Sequence, residues 1–454
     1  MAISLKERLD GDLKDAMRNK DSIRRTVLRT IISEIRNAEI AKQEALEDEG
    51  VLVVMTKQAQ QRRDSIEAFK SASRSDLVES ESAELKIISG YLPEQLSEDE
   101  IEVVITEVIS QVEMYKFAIK FYQPGDDENI LITEKSGKLV KINISTGEQF
   151  NIAHDLSVLA SGQGGLLDVL YHNDFVYFTY SHNYGNRYSS TAIARGKLID
   201  NAIKDLKILF SAEPKIKTDK HFGSRITIKE NYLFASVGER GGGMIAQDPT
   251  TQPGSIIRIH LDGSIPEDNP KFKNQPTWLP EIYQIGVRNP QGMTLSPFDN
   301  NIYISNHGAK GGDFIGTVNA GGNYGWKVIG WGGVNYFNTK IGDGEHFKEE
   351  YDKPLLSWVP SIAPSNIQFY NGNMFEDWKG DLLVTSLKFH MLIKLEIKNN
   401  KVVNEEIIFR GCKIHKEPCH KIGRIRDIEI DKSGGIYIIT DEPESSLWKF
   451  SKKN

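Results

Sequence analysis

Arg424 and Arg426 flank Ile425. In a strand, residues two apart share a face, so the pair would set two guanidinium forks side by side, an arrangement suited to carboxylates. The same alternation also occurs on strands that face solvent. His221, followed by Phe222 and Gly223, titrates near neutrality and could act as a general base or be an ordinary loop residue. The glycine-rich runs GERGGG (238–243) and GAKGGD (308–313) invite a phosphate-cradle reading. No helical pattern follows either, so neither is a P-loop or a dinucleotide fingerprint, and both read as turns. Cys412, His415, Cys419 and His420 could be drawn as a zinc site. Their spacing is not that of a common structural zinc motif, which leaves a local disulfide or free thiols as the other reading. Near the N-terminus Arg25, Arg29 and Arg36 stand on one helical face, and Arg62 with Arg63 makes a second cluster. Such groups suit phosphate contact, or a solvated face opposite an apolar stripe.

The elements that must carry these groups change character near residue 113. Residues 1–112 hold 16 Lys and Arg against 23 Asp and Glu, a charge of −7, while the remainder balances at 40 against 40. All six Trp, both Cys and 35 of the 38 Gly lie beyond residue 112, so helix-forming sequence gives way to glycine- and aromatic-rich sequence. Two domains are expected, 1–112 and 113–454. Leu5, Leu9, Leu13 and Met17, then Ile23, Val27, Leu28, Ile31, Ile32 and Ile35, place an apolar stripe on each of two helices. The run from Leu96 to Ile101 has the form of a capping box with a hydrophobic staple, which predicts a last helix from about Glu98 to the seam.

Beyond residue 128 a turn residue followed by four or five β-branched or aromatic residues returns six times, at Asn129, Asp174, Asn231, Asn301, Asp381 and Gly435. Six copies with following strand–turn–strand sequence predict six blades. The expected class is therefore multidomain, a small all-α helical domain followed by an all-β six-bladed propeller. No stretch approaches the eighteen or so apolar residues of a membrane span. The charged N-terminus lacks the apolar core of a signal peptide, so the chain as written reads as cytoplasmic. The mildly acidic total argues against nucleic-acid or anionic-membrane binding driven by long-range attraction.

The helical segment, with LRTIISEIRNAEIAKQ and the run from Val51 through GYLPEQLSEDEI, resembles the GatB/YqeY family. That family is similar to the tail of the tRNA-dependent amidotransferase B subunit. The resemblance implies an accessory module with a link to tRNA or to glutamine-dependent carbon–nitrogen ligases, and no catalytic residue. The loops SGQGGLLD, DKHFGSRI, GVRNPQGM, NHGAKGGD, NAGGNYGW, SLKFHML and GRIRDIEI resemble, in order, the soluble pyrroloquinoline-quinone-dependent sugar dehydrogenases. These form the glucose/sorbosone dehydrogenase family, and the likeness is strongest to its aldose sugar dehydrogenase branch.

That resemblance implies oxidation of aldoses to lactones with pyrroloquinoline quinone and calcium. It makes His221 the general base, with Arg288 as a catalytic and cofactor-binding cation. Gln163, Asn289, Lys388, Arg424 and Arg426 become further cofactor contacts, and the backbone carbonyls of Gly308 and Ala309 become calcium ligands. Asp313 and Tyr324 would serve a second calcium, although Phe314 stands where the family has an acid. Lys220 precedes the base where glucose-specific members have Asp, and Asp219 lies one place earlier, which argues against strict glucose specificity. The strand that closes the family's propeller is missing if 98–112 is helical, so a less stable ring is expected. The propeller family works outside the cytoplasmic membrane, in conflict with the cytoplasmic reading. A rival assignment makes the propeller a non-catalytic scaffold and places the activity in the tRNA- or amidotransferase-associated N-terminal domain.

Overall fold

In the computed structural model, residues 5–42, most of 45–91, 103–113, 116–121, 126, 128–270, 277–411 and 422–452 are described. The chain divides into two compact units, Met1–Glu102 and Val103–Asn454.

Three helices are described in the first unit, Leu5–Arg18 (α1), Ser22–Lys42 (α2) and Ser75–Ser89 (α3). Leu5 and Leu9 of α1 and Val27, Leu28, Ile31 and Ile35 of α2 are buried together, with Val51, Met55 and Ala59 adding a further four-residue stripe. This is the amphipathic spacing doing its expected work. Met17 and Ile23, which the same spacing assigns to the stripe, are about half exposed at 51% and 49%. They flank the turn between α1 and α2, where the helical period is interrupted. Beyond α3, Tyr91 accepts from Arg24 at 3.0 Å and donates to Asp12, while Arg24 pairs Asp12 at 2.9 Å. The end of α3 is thereby fastened to both earlier helices.

The second unit is a ring of six four-stranded antiparallel sheets. From the axis outward, blade one holds Lys116–Phe121, Asn129–Glu134, Leu139–Asn143 and Gln149–Ile152, and blade two Leu166–His172, Phe175–Asn183, Ser189–Ile199 and Ala202–Ser211. Blade three holds Gly223–Lys229, Tyr232–Val237, Ser255–His260 and Ile282–Ile285, and blade four Pro290–Leu295, Ile302–Asn306, Asp313–Thr317 and Leu356–Trp358. Blade five holds Pro364–Phe369, Leu382–Ser386, Met391–Lys398 and Lys401–Arg410. The six repeated motifs are the six second strands. These are buried on both faces, as the run of five buried residues in Ile302–Asn306, Leu382–Ser386 and Ile436–Thr440 shows, which is why they read as continuous β-branched and aromatic runs.

Blade six corrects the expected last helix and the expected missing strand. Ile425–Ile430, Ile436–Thr440 and Glu444–Lys452 are completed by Val103–Glu113, antiparallel to Glu444–Lys452 from Val103 opposite Lys452 to Glu113 opposite Glu444. The capping-box residues lie outside the described residues, and the segment that follows them is a strand. Its sequence, VVITEVISQVE, is rich in β-branched residues, and the open edge of 444–452 offers a partner that an isolated helix lacks. The ring is therefore closed by a segment N-terminal to blade one, and the two compact units divide ten residues before the compositional seam.

At the axis one side chain reads every blade. Buried Arg225, on the inner strand of blade three, donates through Nε to Gln291 O at 2.7 Å (blade four) and through Nη1 to Asp168 at 3.3 Å (blade two) and Asp427 at 3.0 Å (blade six). Its Nη2 donates to the carbonyls of Phe117 at 3.3 Å (blade one), Arg426 at 3.4 Å (blade six) and Ser365 at 3.5 Å (blade five). Every nitrogen of the guanidinium is engaged, so Arg225 acts as a tie across the ring and floors what lies above it.

Candidate active site

Above Arg225 lies a cavity of about 610 Å³ to which all six blades contribute. Phe117 and Lys135 come from blade one, Gln163 and Leu167 from blade two, and Phe222 and Gly223 from blade three. Asn289, Gln291 and His307 come from blade four, Ala363 and Leu387 from blade five, and Arg424, Arg426, Asp441 and Glu442 from blade six.

Arg424 and Arg426 line it together as their spacing predicts, and both meet Asp441, Arg424 at 3.6 Å and Arg426 by a shorter contact. Arg426 is buried, which works to lower its pKa against the opposing charge of Asp441. Its Nη1 donates to Gln291 Oε1 at 3.2 Å, and its Nε is buried without a partner among the described residues. Gln291 in turn donates to Gly223 O at 3.2 Å and Asn289 Oδ1 at 3.3 Å, and Asn289 Oδ1 accepts from the amide of Gly223 at 3.0 Å. Hydrogen bonds thus run from the cationic wall in blade six to the residues beside His221 in blade three.

His221 and Arg288 stand behind this lining, next to Gly223 and Asn289. His221 has a left-handed backbone, φ +50, and is followed by Gly223 at +65 and Ser224 at +87. Its amide donates to Gln163 Oε1 at 2.7 Å. Nδ1 is bonded to Glu239, whose other oxygen accepts from Gly243 N. A carboxylate on Nδ1 selects the tautomer that leaves Nε2 as the lone-pair nitrogen. Burial is the largest influence on His221 and lowers its pKa; Glu239 opposes this, while Arg288 and Lys220 assist it. Burial works to raise the Glu239 carboxyl, but His221, the Gly243 amide and Arg288 together hold it below its ordinary value. Gly238 is required here, because a Cβ on it would lie 2.1 Å from His221 O.

Arg288 is 4% exposed. It donates to His307 O at 3.4 Å and to the Tyr336 hydroxyl at 3.3 Å, with its guanidinium 5.3 Å from the Trp326 ring. Asn306 Oδ1 accepts from the amides of both Arg288 and Asn289, at 3.0 and 2.9 Å, and fixes the RNPQG turn. Lys388 stands elsewhere: it is exposed, 4.9 Å from the Phe389 ring, and its neighbour Leu387 forms the wall. The carbonyls of Gly308 and Ala309 accept no hydrogen bond among the described residues, while Gly308 N donates to Asp313 Oδ1 at 2.7 Å. Oxygen atoms left free in this way suit a hard cation.

Asp313 and Tyr324 are each engaged with other partners. Asp313 Oδ2 accepts from Ser361 at 2.6 Å and Ala363 N at 2.7 Å, and Tyr324 donates to Thr317 O at 2.8 Å against the Phe314 ring. Cys412, Cys419 and His420 lie outside the described residues. Of the second arginine cluster, Arg62 is paired with Glu81 at 3.3 Å and Glu84 at 2.8 Å, and Arg63 lies outside the described residues.

Lys135, Asp441, His307 and above all Glu239 escape the sequence reading. The signal for Glu239 was present in GERGGG, an acid just after a strand, but only the fold brings it to His221. Burial pushes the pKa of His307 down to about 4, and its Nε2 is 2.8 Å from Pro364 O, so it is a neutral imidazole in the cavity wall.

Residues 116–449 match the Glucose / Sorbosone dehydrogenase family, and residues 6–119 match the Yqey-like protein family. Aldose sugar dehydrogenase YliI of Escherichia coli is 33% identical over 362 residues, 77% of this chain and 94% of that protein. Quinoprotein glucose dehydrogenase B of Acinetobacter calcoaceticus is 26% identical over 407 residues, 70% of this chain and 82% of that protein. The crystal structure of the soluble aldose sugar dehydrogenase from Escherichia coli in the apo-form superposes with a TM-score of 0.71 at 31% identity, covering 77% of this chain and 100% of that one.

Proposed function

The chain belongs to the glucose/sorbosone dehydrogenase family, with a Yqey-like domain ahead of the propeller, and on that premise we propose that it oxidises aldose sugars to lactones with pyrroloquinoline quinone and calcium. The observation that carries the proposal is the His221–Glu239 pair joined by hydrogen bonds to a cationic, six-blade cavity.

The residues present fit the cofactor. A tricarboxylate needs fixed cations, and Arg424, Arg426 and Lys135 line the cavity with Arg288 behind it. The unpartnered Nε of Arg426 is a donor still to be satisfied. Asn289 and Gln163 add polar contacts, and the carbonyls of Gly308 and Ala309 would hold the calcium ion; Lys388 is not part of the cavity lining. When bound, the quinone supplies a hydride acceptor whose carbonyl the calcium ion polarises.

The chain's own part is proton removal and placement. Glu239 holds Nδ1 of His221, and burial keeps the imidazole neutral. Nε2 can then take the proton of the anomeric hydroxyl as C1 gives up hydride and becomes the lactone carbonyl carbon. Arg288, beside both His221 and Glu239, stabilises the negative charge that develops on the sugar oxygen. With Lys220 where a glucose-specific relative would carry Asp, broad aldose oxidation fits better than strict glucose use.

The test is dye reduction by purified protein reconstituted with quinone and calcium. Activity on aldoses that falls by about 10²–10⁴ in His221→Ala is expected. No quinone binding, or full activity in the variant, would overturn the assignment. A second reading concerns the helical domain: Arg25, Arg29 and Arg36 are exposed on one face of α2 and form no ion pair among the described residues. They would contact tRNA or an amidotransferase partner. Salt-dependent tRNA retention lost on replacing the three would support this contact.

A further inference from the structure

GERGGG supplies Glu239 to the base, but its arginine has no part in the chemistry above. Arg240 is 3% exposed and forms no ion pair among the described residues. Its donors go instead to the segment that leads into His221: Nε to Lys220 O at 2.9 Å and Nη2 to Thr218 O at 2.6 Å. Nη2 also reaches Ser189 Oγ at 3.0 Å and Nη1 reaches Ser189 O at 3.4 Å. The guanidinium lies 3.6 Å from the centre of the Phe222 ring, and the Arg240 amide donates to His221 O at 3.3 Å. One residue therefore touches 218, 220, 221 and 222.

Burial works against the charge of Arg240, opposed only by the more distant carboxylates of Asp219 and Glu239, so an arginine kept there without an ion pair calls for a return elsewhere. The return is visible in the backbone. His221 and Ser224 are non-glycine residues in left-handed conformations, which persist only when their surroundings over-determine them. A planar fork that spans several carbonyls and stacks on a ring can do this, whereas the point charge of a lysine can hold only part of that set. Resting on the reading of His221 as the base, we propose that Arg240 is a positioning residue: it clamps residues 218–222 in the conformation that presents His221 at the cavity's edge, so that the two adjacent residues Glu239 and Arg240 hold the imidazole and its backbone respectively.

The experiment compares full-length Arg240→Gln and Arg240→Lys with the parent chain. Three quantities are read: kcat with saturating aldose, the affinity for pyrroloquinoline quinone by fluorescence quenching, and the His221 imidazole titration in the cofactor-free protein by histidine-labelled NMR. Arg240→Gln should lose about 10²-fold in kcat, as expected for a base displaced by about an ångström, with quinone affinity changed by less than about threefold. Its His221 titration should move up toward that of ordinary histidine, because a loosened segment exposes an imidazole whose neighbours are Glu239, Arg288 and Lys220. Arg240→Lys should recover part of kcat. A folded Arg240→Gln with kcat within about twofold of the parent and an unmoved titration would overturn the proposal. If Arg240→Gln does not fold, a folded Arg240→Lys with full kcat and an unmoved titration would overturn it equally. Should the parent chain oxidise no aldose, the assignment of the base fails while the titration still decides whether Arg240 holds the segment.

Discussion

His221 is an unremarkable residue until its partners are known. Burial alone would lower its pKa and leave either ring nitrogen protonated, whereas Glu239 fixes one tautomer and pulls the pKa part of the way back. Replacing Glu239 with Gln removes that upward pull, so the imidazole pKa falls further. On the proposed reading of His221 as a base that acts when neutral, the acid limb of kcat/KM should move to lower pH, while kcat drops by about 10² through loss of orientation. A pH–rate profile of Glu239→Gln that overlies the parent's would show that the carboxylate does not set the base. The sequence displayed every residue concerned, but residues 221 and 239 are linked only by the hairpin of blade three.

Among the elements, the strand 103–113 is where local pattern and outcome part. Its upstream capping box and the match of residues 6–119 to the helical family both favour helix, yet the backbone pairs with 444–452 over its whole length. β-Branched composition made either state accessible, and an unpaired sheet edge more than 300 residues away decided between them. A proline at Ile105, opposite Phe450 in the regular part of the ladder, cannot donate to the pairing and should weaken the propeller by about one ladder hydrogen bond, on the order of 1 kcal/mol, lowering its melting temperature by a few degrees. An unchanged calorimetric transition for Ile105→Pro would mean that the ring closes without this strand.

The whole propeller depends on Arg225 more than on any contact that local sequence suggests. Its six hydrogen bonds reach the five other blades, and the two carboxylates it meets, Asp168 and Asp427, are themselves buried. Burial raises the Asp168 pKa, and Arg225 is the chief influence opposing it. Arg225→Met keeps the volume but strands both carboxylates, at a cost of about 3–5 kcal/mol. Since the cavity is walled by residues from all six blades, quinone affinity should fall together with the melting temperature. A variant that melts like the parent and still binds quinone would show that the blades keep their register without the tie. No helix among the described residues is long and apolar enough to cross a membrane.

Local patterns in the amino-acid chain were enough to read the blade count, the helical stripes of residues 5–35 and the loops that carry the family's motifs. Each of these is a local pattern, a period of 3.6 or a doubly buried β-branched run, and needs no distant partner to be read. Arg424 and Arg426 were legible for a related reason: Arg426 lies in Ile425–Ile430 and Arg424 immediately before it, and both line the cavity. Tertiary structure decided the rest. It turned 103–113 into the closing strand, put Leu387 in the wall with Lys388 outside it, spent the Asp313 carboxylate on backbone and serine donors, and made GERGGG the support of His221. These outcomes depend on which loops six blades bring to one axis, and that is set by packing between residues hundreds of positions apart.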